Sequence, residues 1–473
     1  MTVRLFDTAT REVRDFTPLT KRRVGMYVCG PTVQGSPHVG HLRAFVAFDV
    51  LHRWLTRTGH QVTMIRNVTD IEDKILAKAA DAGRDWWAMG LEHECEFGDT
   101  YRALGLLPAT YEPRATGHIV DIVELITRLI DRGHAYEVSG SVYFDVQSFP
   151  DYGALTNQGL GDMAPAADAL ADAKRDPRDF ALWKAAKAGD PASATWGSPW
   201  GPGRPGWHIE CSAMARRFLG DEFDIHGGGL DLRFPHHENE QAQSRAAGYG
   251  FAQLWMHSAW VTQSGAKMSK SLGNGLLVGE VLSHHEPAAL RLALASVHYR
   301  SMLEYTDHTM DDASATWQRL SGFVQRASDK LTTPLSPTDV TGAALPEPFV
   351  EAMNDDLSVP RALAHVHETV RAGNAALNAG DNAAAASALL SVRAMLDVLG
   401  LDPGHPHWQA DTGASSAMAA LDALVQADIA ARAQTRADKD WAAADAIRDR
   451  LAAAGIVVED SADGARWSLA TDD

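Results

Sequence analysis

Apolar residues change period along the chain, and each change predicts an element. Val24, Met26, Tyr27 and Val28 form a short apolar run, and Cys29-Gly30-Pro31 makes a turn. Leu42, Phe45, Val46, Asp49, Val50 and Trp54 then recur mostly at helical intervals until Gly59. Strand, glycine-containing turn and helix are the prediction. The β-branched run 61–68 reads as the next parallel strand of a doubly wound sheet. Ile119, Ile122, Val123, Ile126, Leu129 and Ile130 predict a helix, and residues 135–138 and 142–146 alternate around Ser139-Gly140 like a hairpin. An alanine- and aspartate-rich stretch follows, with a mobile surface loop expected near 164–178. The sheet pattern returns at Gly206-Trp207-His208-Ile209 and at the apolar strand 255–261. Beyond about Leu276 the chain reads as helices, with a proline-rich linker at 333–348, a second linker at 403–408 and a small closing hairpin. The predicted fold is α/β: a Rossmann-like doubly wound parallel sheet with an inserted α+β segment, followed by an α-helical C-terminal region.

Composition narrows the class. With 473 residues, 45% of them hydrophobic and 22% charged, the chain is globular and long enough for roughly three domains. No apolar run approaches the ~20 residues that span a bilayer and the first residues lack a signal-peptide pattern, so a cytoplasmic location is the expectation. Three cysteines, Cys29, Cys95 and Cys211, are too few for a disulfide scaffold and are read as core residues, metal ligands or nucleophiles. The formal charge of −18 argues against sequence-blind binding to polyanions and leaves room for a local basic face.

Three stretches carry candidate chemistry. His38-Val39-Gly40-His41 opens the first long helix, where unpaired N–H groups and the positive end of the helix dipole favour a phosphate. Gly40 lets the backbone approach closely, and His38 and His41 are placed to donate hydrogen bonds as charge develops at a reacting α-phosphate. Thr69 and Asp70 lie at the carboxyl end of the second strand, where ligands of such sheets gather, although either residue also suits a helix cap. In the block 223–240, Gly227, Gly228 and Gly229 permit close backbone approach, and a helix would put His236 and Glu240 on one face. With Cys29 and Cys211 these two would complete a tetrahedral S₂NO set for zinc. No C-x-x-C pair announces it, and buried core cysteines beside a charged helix face are the alternative. Last, Lys267-Met268-Ser269-Lys270-Ser271 suits a flexible loop closing over a leaving pyrophosphate, or a solvated basic loop.

His-x-Gly-His near the start, paired with Lys-Met-Ser-Lys-Ser much later, resembles the class I aminoacyl-tRNA synthetases. The resemblance sharpens to the cysteinyl-tRNA synthetase family through Met26-Tyr27-Val28-Cys29-Gly30-Pro31, Asn67-Val68-Thr69-Asp70-Ile71, Gly206-Trp207-His208-Ile209-Glu210-Cys211-Ser212 and Phe234-Pro235-His236-His237-Glu238-Asn239-Glu240. It implies a zinc ion held by Cys29, Cys211, His236 and Glu240, with Thr69, Trp207 and His226 lining a cysteine pocket. It also implies catalysis by His38, His41, Lys267 and Lys270, and nucleotide contacts from Gly40, Gly227, Gly228, Asp231 and Lys270. The implied substrates are ATP, with Mg²⁺, and L-cysteine; the implied partner is the tRNA for cysteine, and a monomer is expected. A thiolate is a soft zinc ligand and the serine hydroxyl is not, so zinc would separate two near-isosteres that shape alone separates by only ~10²-fold.

The chain departs from the family pattern at Gln34-Gly35-Ser36 and Leu42, which bears on the ATP contacts of that loop. The domains expected are a catalytic domain in two halves, 1–107 and 203–275, split by an inserted connective segment, 108–202. A helical stem-contact region, 276–332, a helical domain, 333–402, and an anticodon-binding region, 403–473, would follow. Two other readings compete. One is the related ligase of mycothiol biosynthesis, which joins cysteine to an amino sugar and lacks the anticodon-binding end; the other is an inactive nucleotide- or RNA-binding paralogue. Residues 421–473 and Glu240 weigh against the first, and intact His38, His41, Lys267 and Lys270 against the second.

Overall fold

The computed structural model describes residues 2–164, 174–263, 265–267, 276–306, 308–331, 335–461 and 464–469. The chain divides into two compact units, Met1–Pro403 and Gly404–Asp473. At the centre of the first is a four-stranded parallel sheet of β1 (Arg23–Val28), β2 (Gln61–Arg66), β3 (Phe223–Gly229) and β4 (Ala252–Ser258), in the order β4-β3-β1-β2. Met26, Tyr27 and Val28 of β1 pair on one side with Met64, Ile65 and Arg66 and on the other with Ile225, His226 and Gly227. From β1 the order runs to β2 on one side and β3 on the other. The crevice beyond the carboxyl ends of β1 and β3 is therefore the switch point where such sheets bind ligands.

Three helices position the site. The first, α1 (Val39–Arg57), is the run predicted from its apolar spacing, and it buries Leu42, Phe45, Phe48, Leu51 and Trp54. Burying side chains of this kind is worth about 1.5–3 kcal/mol each. Asp49 lies inside that buried face. Burial pushes its pKa up, but Arg291, Arg53 and the Leu107 amide outweigh burial and hold the carboxyl well below the usual range. Arg291 also donates to the Leu399 carbonyl at 2.7 Å, so one guanidinium joins α1 to the end of the Asn382–Val398 helix. Arg57 bonds the Ala343 carbonyl and the Trp54 ring meets the Phe349 ring edge-on, 6.4 Å between centroids. These ties hold the segments on either side of the proline-rich 333–348 within one compact unit.

Two further helices, α2 (Trp207–Leu219) and α3 (Glu238–Ala246), follow the insertion. The insertion is a helix, Ile119–Asp131, and an antiparallel meander of Ala135–Val138, Ser141–Phe144, Phe180–Ala185 and Gly203–Pro205. Its hairpin turns at Ser139 and Gly140, both at positive φ (51° and 80°), as a two-residue turn matching strand twist requires. Ile122, Ile126, Phe144 and Leu182 share one core with Ile209 and Ala213 of α2 and Ala242 and Ala246 of α3. The expected mobile loop lies partly outside the described residues. Its described end is anchored: Asp176 is buried with its carboxylate on Arg178, and Asp179 accepts from Tyr136 at 2.6 Å.

The second unit is a helix pair, Pro406–Ala437 and Trp441–Ala453, with the hairpin Ile456–Ser461/Gly464–Leu469, and Val425, Leu451 and Ile456 form its core. No helix among the described residues is long and apolar enough to cross a membrane.

Candidate active site and metal centre

A cavity of about 600 Å³ opens beyond the ends of β1 and β3. Cys29, Gly40, His41, Lys78, Trp207 and Asp231 are among its lining residues. The ends of β1 and β2 meet closely there. The Gly30 N–H donates to Asn67 Oδ1 at 2.8 Å, and a Cβ on Gly30 would overlap the Asn67 carbonyl, so only glycine fits. Thr69 is buried beside this contact, with its N–H on the Pro31 carbonyl at 3.1 Å and its hydroxyl accepting from Asn67 Nδ2 at 3.3 Å.

At the inner end, Cys29 from the end of β1 lines the cavity, and Cys211 from α2, His236 and Glu240 converge on it from behind the lining. All four are buried, and their ligand atoms lie within 4.8 Å of one another. Cys29 Sγ is 3.8 Å from Cys211 Sγ and 3.4 Å from Glu240 Oε1, and His236 Nε2 is 3.0 Å from Glu240 Oε1. Zinc with bonds of ~2.3 Å to sulfur and ~2.0–2.1 Å to nitrogen or oxygen in a tetrahedron sets its ligands about 3.3–3.8 Å apart; the two Cys29 contacts lie in that range and the His236–Glu240 contact, at 3.0 Å, lies just below it. Cys29, His226, His237 and Glu240 form a second, overlapping group. In that group His226 Nε2 is already on Glu240 Oε2 at 2.8 Å, and His237 Nδ1 meets His257 Nε2 at 2.8 Å. The two-sulfur set is the better match for a soft, thiolate-binding metal.

Protonation follows from the setting. Burial, then the neighbouring thiol and Glu240, push the Cys29 thiol up, and burial raises Cys211 as well. Burial drives His236 well below its ordinary range and His208 down to about 3, so both rings are neutral and keep a lone pair. A dication would reverse the thiol shifts by favouring two thiolates. Outer contacts orient the set: His208 Nδ1 is 2.9 Å from His236 Nδ1, and the Trp207 ring stacks on His236 at 4.1 Å. His226 is fully buried between Glu240 and the Trp255 ring, beneath the cluster and not among the cavity-lining residues.

The open end is built on the start of α1. His38 is its N-cap, in extended backbone, and donates its N–H to His41 Nδ1 at 3.3 Å; the two rings stack at 3.6 Å. Gly40 and His41 line the cavity, as does His38. The Val39 N–H donates to the Leu276 carbonyl and the Val278 N–H to the Pro37 carbonyl, so the chain leaving the lysine-rich stretch is stitched to this turn. Lys270 lies outside the described residues, and of Lys267 only the backbone is described, pairing with Thr262. Asp231 lines the cavity, whereas Gly227 and Gly228 do not. Those two glycines have a packing reason, since a Cβ at Gly227 would overlap the Phe48 ring and one at Gly228 would press on Leu232 and His237.

Sequence reasoning missed Lys74 and Lys78, which also line the cavity; Lys78 Nζ donates to the Gln34 carbonyl at 3.0 Å. The signal was present. Two lysines one helical turn apart follow directly after the carboxyl end of a parallel strand, on the helix Asp73–Asp81.

A doubly wound sheet with a phosphate-type helix start and a thiol-rich floor at its switch point defines the catalytic domain of a class I aminoacyl-tRNA synthetase. Residues 15–315 match the family model described as tRNA synthetases class I (C) catalytic domain. A DALR domain matches 348–401 and a cysteinyl-tRNA ligase anticodon binding domain 418–467. The chain is 59% identical over 473 residues to a cysteine–tRNA ligase of Beutenbergia cavernae and 55% identical over 471 residues to one of Streptomyces avermitilis, in each case across 99% of both chains. The chain belongs to the cysteine–tRNA ligase family. Among solved structures it is similar in fold to methionyl-tRNA synthetase of Mycobacterium tuberculosis in complex with methionyl-adenylate. That likeness has a TM-score of 0.59 and 16% identity, covering 81% of this chain and 92% of that one.

Proposed function

We propose that this chain joins L-cysteine to its tRNA in two steps within the single cavity. The cysteine carboxylate attacks the α-phosphate of ATP, forming cysteinyl-adenylate as pyrophosphate leaves. The terminal ribose hydroxyl of tRNA then attacks the carbonyl carbon and AMP leaves. The observation that carries this reading is the buried Cys29–Cys211–His236–Glu240 cluster, reached through Cys29 in the lining of a cavity whose rim is a helix start bearing two histidines. Zinc held by Cys29, Cys211, His236 and Glu240 would supply a Lewis acid that favours a thiolate over a neutral hydroxyl. Thr69 and Trp207 hold the amino acid over the cluster, and His226 fixes Glu240.

At the rim, Gly40 admits the triphosphate, and His38 and His41 donate to it as charge builds on the α-phosphate. Lys267 and Lys270 meet the pyrophosphate, with Mg²⁺ accompanying ATP. Residues 404–473 read the anticodon end of the tRNA. The test is cysteine-dependent pyrophosphate exchange by the purified chain, followed by charging of tRNA or of the amino-sugar acceptor. Exchange with transfer to tRNA alone supports the reading; transfer to the amino sugar contradicts it.

A further inference from the structure

A buried carboxyl stands without a partner behind the wall of the catalytic cavity. Glu210 lies on α2, where Trp207, Glu210 and Cys211 are spaced so as to share one face of the helix. Trp207 lines the cavity and Cys211 belongs to the metal set, whereas Glu210 is only 1% exposed. Neither of its carboxyl oxygens has a well-formed hydrogen bond among the described residues. Leaving such a group unpaired costs free energy, so both vacant oxygens call for a role.

The surroundings supply one. The Thr69 hydroxyl is the donor that approaches Glu210, and Asp70 and Glu72 are the neighbouring carboxylates. Those two are already engaged. Asp70 accepts from the Thr116 N–H at 3.0 Å and from the Thr116 hydroxyl, and Glu72 accepts from the Lys74 N–H at 2.6 Å. Thr69 in turn has one proton and two acceptor lone pairs to place. One lone pair takes the Asn67 Nδ2 donor at 3.3 Å, and the Thr69 N–H ties the residue to the cavity-lining Pro31. With the hydroxyl proton turned towards Glu210, the second lone pair is left to meet a donor in the pocket.

We propose that Glu210 is a positioning residue for the α-ammonium of the amino-acid substrate, acting by drawing the Thr69 hydroxyl proton out of the pocket. An ammonium has three donors and no acceptor, so a hydroxyl that meets it proton-first repels it and one that meets it lone-pair-first holds it. Glu210 decides which of the two Thr69 presents. This deepens the aminoacylation reading above and rests on it. Recognition of the amino group thereby falls to atoms other than those that take the sulfur.

The test measures binding to the zinc-loaded full-length protein by titration calorimetry without ATP. The probes are L-cysteine and 3-mercaptopropionate, which keeps the thiol and the carboxylate and lacks the amine. Glu210→Met removes the acceptor at similar volume. It is expected to weaken cysteine about 10-fold while 3-mercaptopropionate stays within about twofold of the parent. Glu210→Gln, which keeps an acceptor oxygen, should bring cysteine back to within about threefold of the parent. Thr69→Val should impose the same cysteine-specific loss, and adding Glu210→Met to it should cost nothing further. Equal losses for both ligands, no loss for cysteine, no recovery by Glu210→Gln, or losses that add across Glu210 and Thr69 would overturn the proposal. Cysteine-dependent pyrophosphate exchange by the parent separates such a result from failure of the enzymatic reading, and a parent that neither exchanges nor binds cysteine sinks both.

Discussion

The two ends of the catalytic cavity are built on opposite principles. At the closed end Cys29, Cys211, His236 and Glu240 are each at most 4% exposed, and their neighbours His208, His226 and Trp207 hold them by hydrogen bonds and ring contacts. At the open end His41 is half-buried, and Lys74 and Lys78 are exposed on a separate helix. A buried, pre-oriented set favours discrimination, because an ill-matched group there leaves polar atoms unpaired. An open, cationic rim favours turnover, because the triphosphate must enter and pyrophosphate must leave. On the proposed reading, selection and chemistry are separated in space by only the depth of one cavity.

Substitutions should split along that line. Cys211→Ser should lower metal content below one equivalent per chain and cut cysteine-dependent exchange by about 10³-fold or more. Retained activity without bound metal would make the closed end merely structural. Lys270→Ala at the open end should slow adenylate formation by about 10²- to 10³-fold while the cysteine KM stays within roughly threefold. Comparable losses in both parameters would erase the distinction between the ends.

His226→Asn, which removes the bond to Glu240 Oε2 without removing a ligand, should weaken metal retention in a chelator competition by about 10- to 100-fold. Parent-like retention would show that His226 does not orient Glu240. The smallest effect concerns Asp73, at the start of the helix that carries Lys74 and Lys78. Burial pushes its carboxyl up, but Lys184 at 2.7 Å and Arg204 at 2.8 Å outweigh burial and hold it down to about 2. A folded pKa below the unfolded value of ~3.9 contributes stability that is full above pH ~4 and is lost as pH falls towards 2. Thermal melts of Asp73→Asn should therefore show a shallower loss of Tm across that window than the parent. The effect is modest because the side chain is 39% exposed, and an identical acid limb would remove Asp73 from the account.

Much of this was legible before any coordinates, for physical reasons that differ by residue. The strand before Cys29 and the helix after Gly40 declare themselves through apolar periods, and the Ser139-Gly140 turn through its composition. The metal set does not. Cys29 and Cys211 are 182 positions apart and meet only because β1 and α2 belong to one folded sheet layer, so spacing alone left zinc and a buried-core reading open.

His236 and Glu240 were expected to share one helix face, and they meet at 3.0 Å across the i,i+4 spacing; the chain enters α3 through a kink at Phe234, whose backbone is extended (φ −139°, ψ 134°). Pro235 follows the kink, one residue before His236, so the helical spacing from His236 to Glu240 is uninterrupted. Asp49 is a different case. Its position in an apolar stripe is intelligible only with Arg291, whose partnership is long-range, and breaking such a buried pair costs about 3–5 kcal/mol. The proline-rich 333–348 falls between the catalytic-domain match, which ends at 315, and the DALR match, which begins at 348, and tertiary bonds from Arg57 and Arg291 hold both within one compact unit.

The central claim is that the buried thiol end selects cysteine through its sulfur. Zinc-edge X-ray absorption of the purified full chain tests it most directly, with and without saturating L-cysteine and with L-serine as the control. The account predicts one zinc per chain with two sulfur neighbours, from Cys29 and Cys211, rising to three on addition of cysteine and staying at two with serine. A sulfur count that stays at two with cysteine, or rises equally for both amino acids, would contradict it.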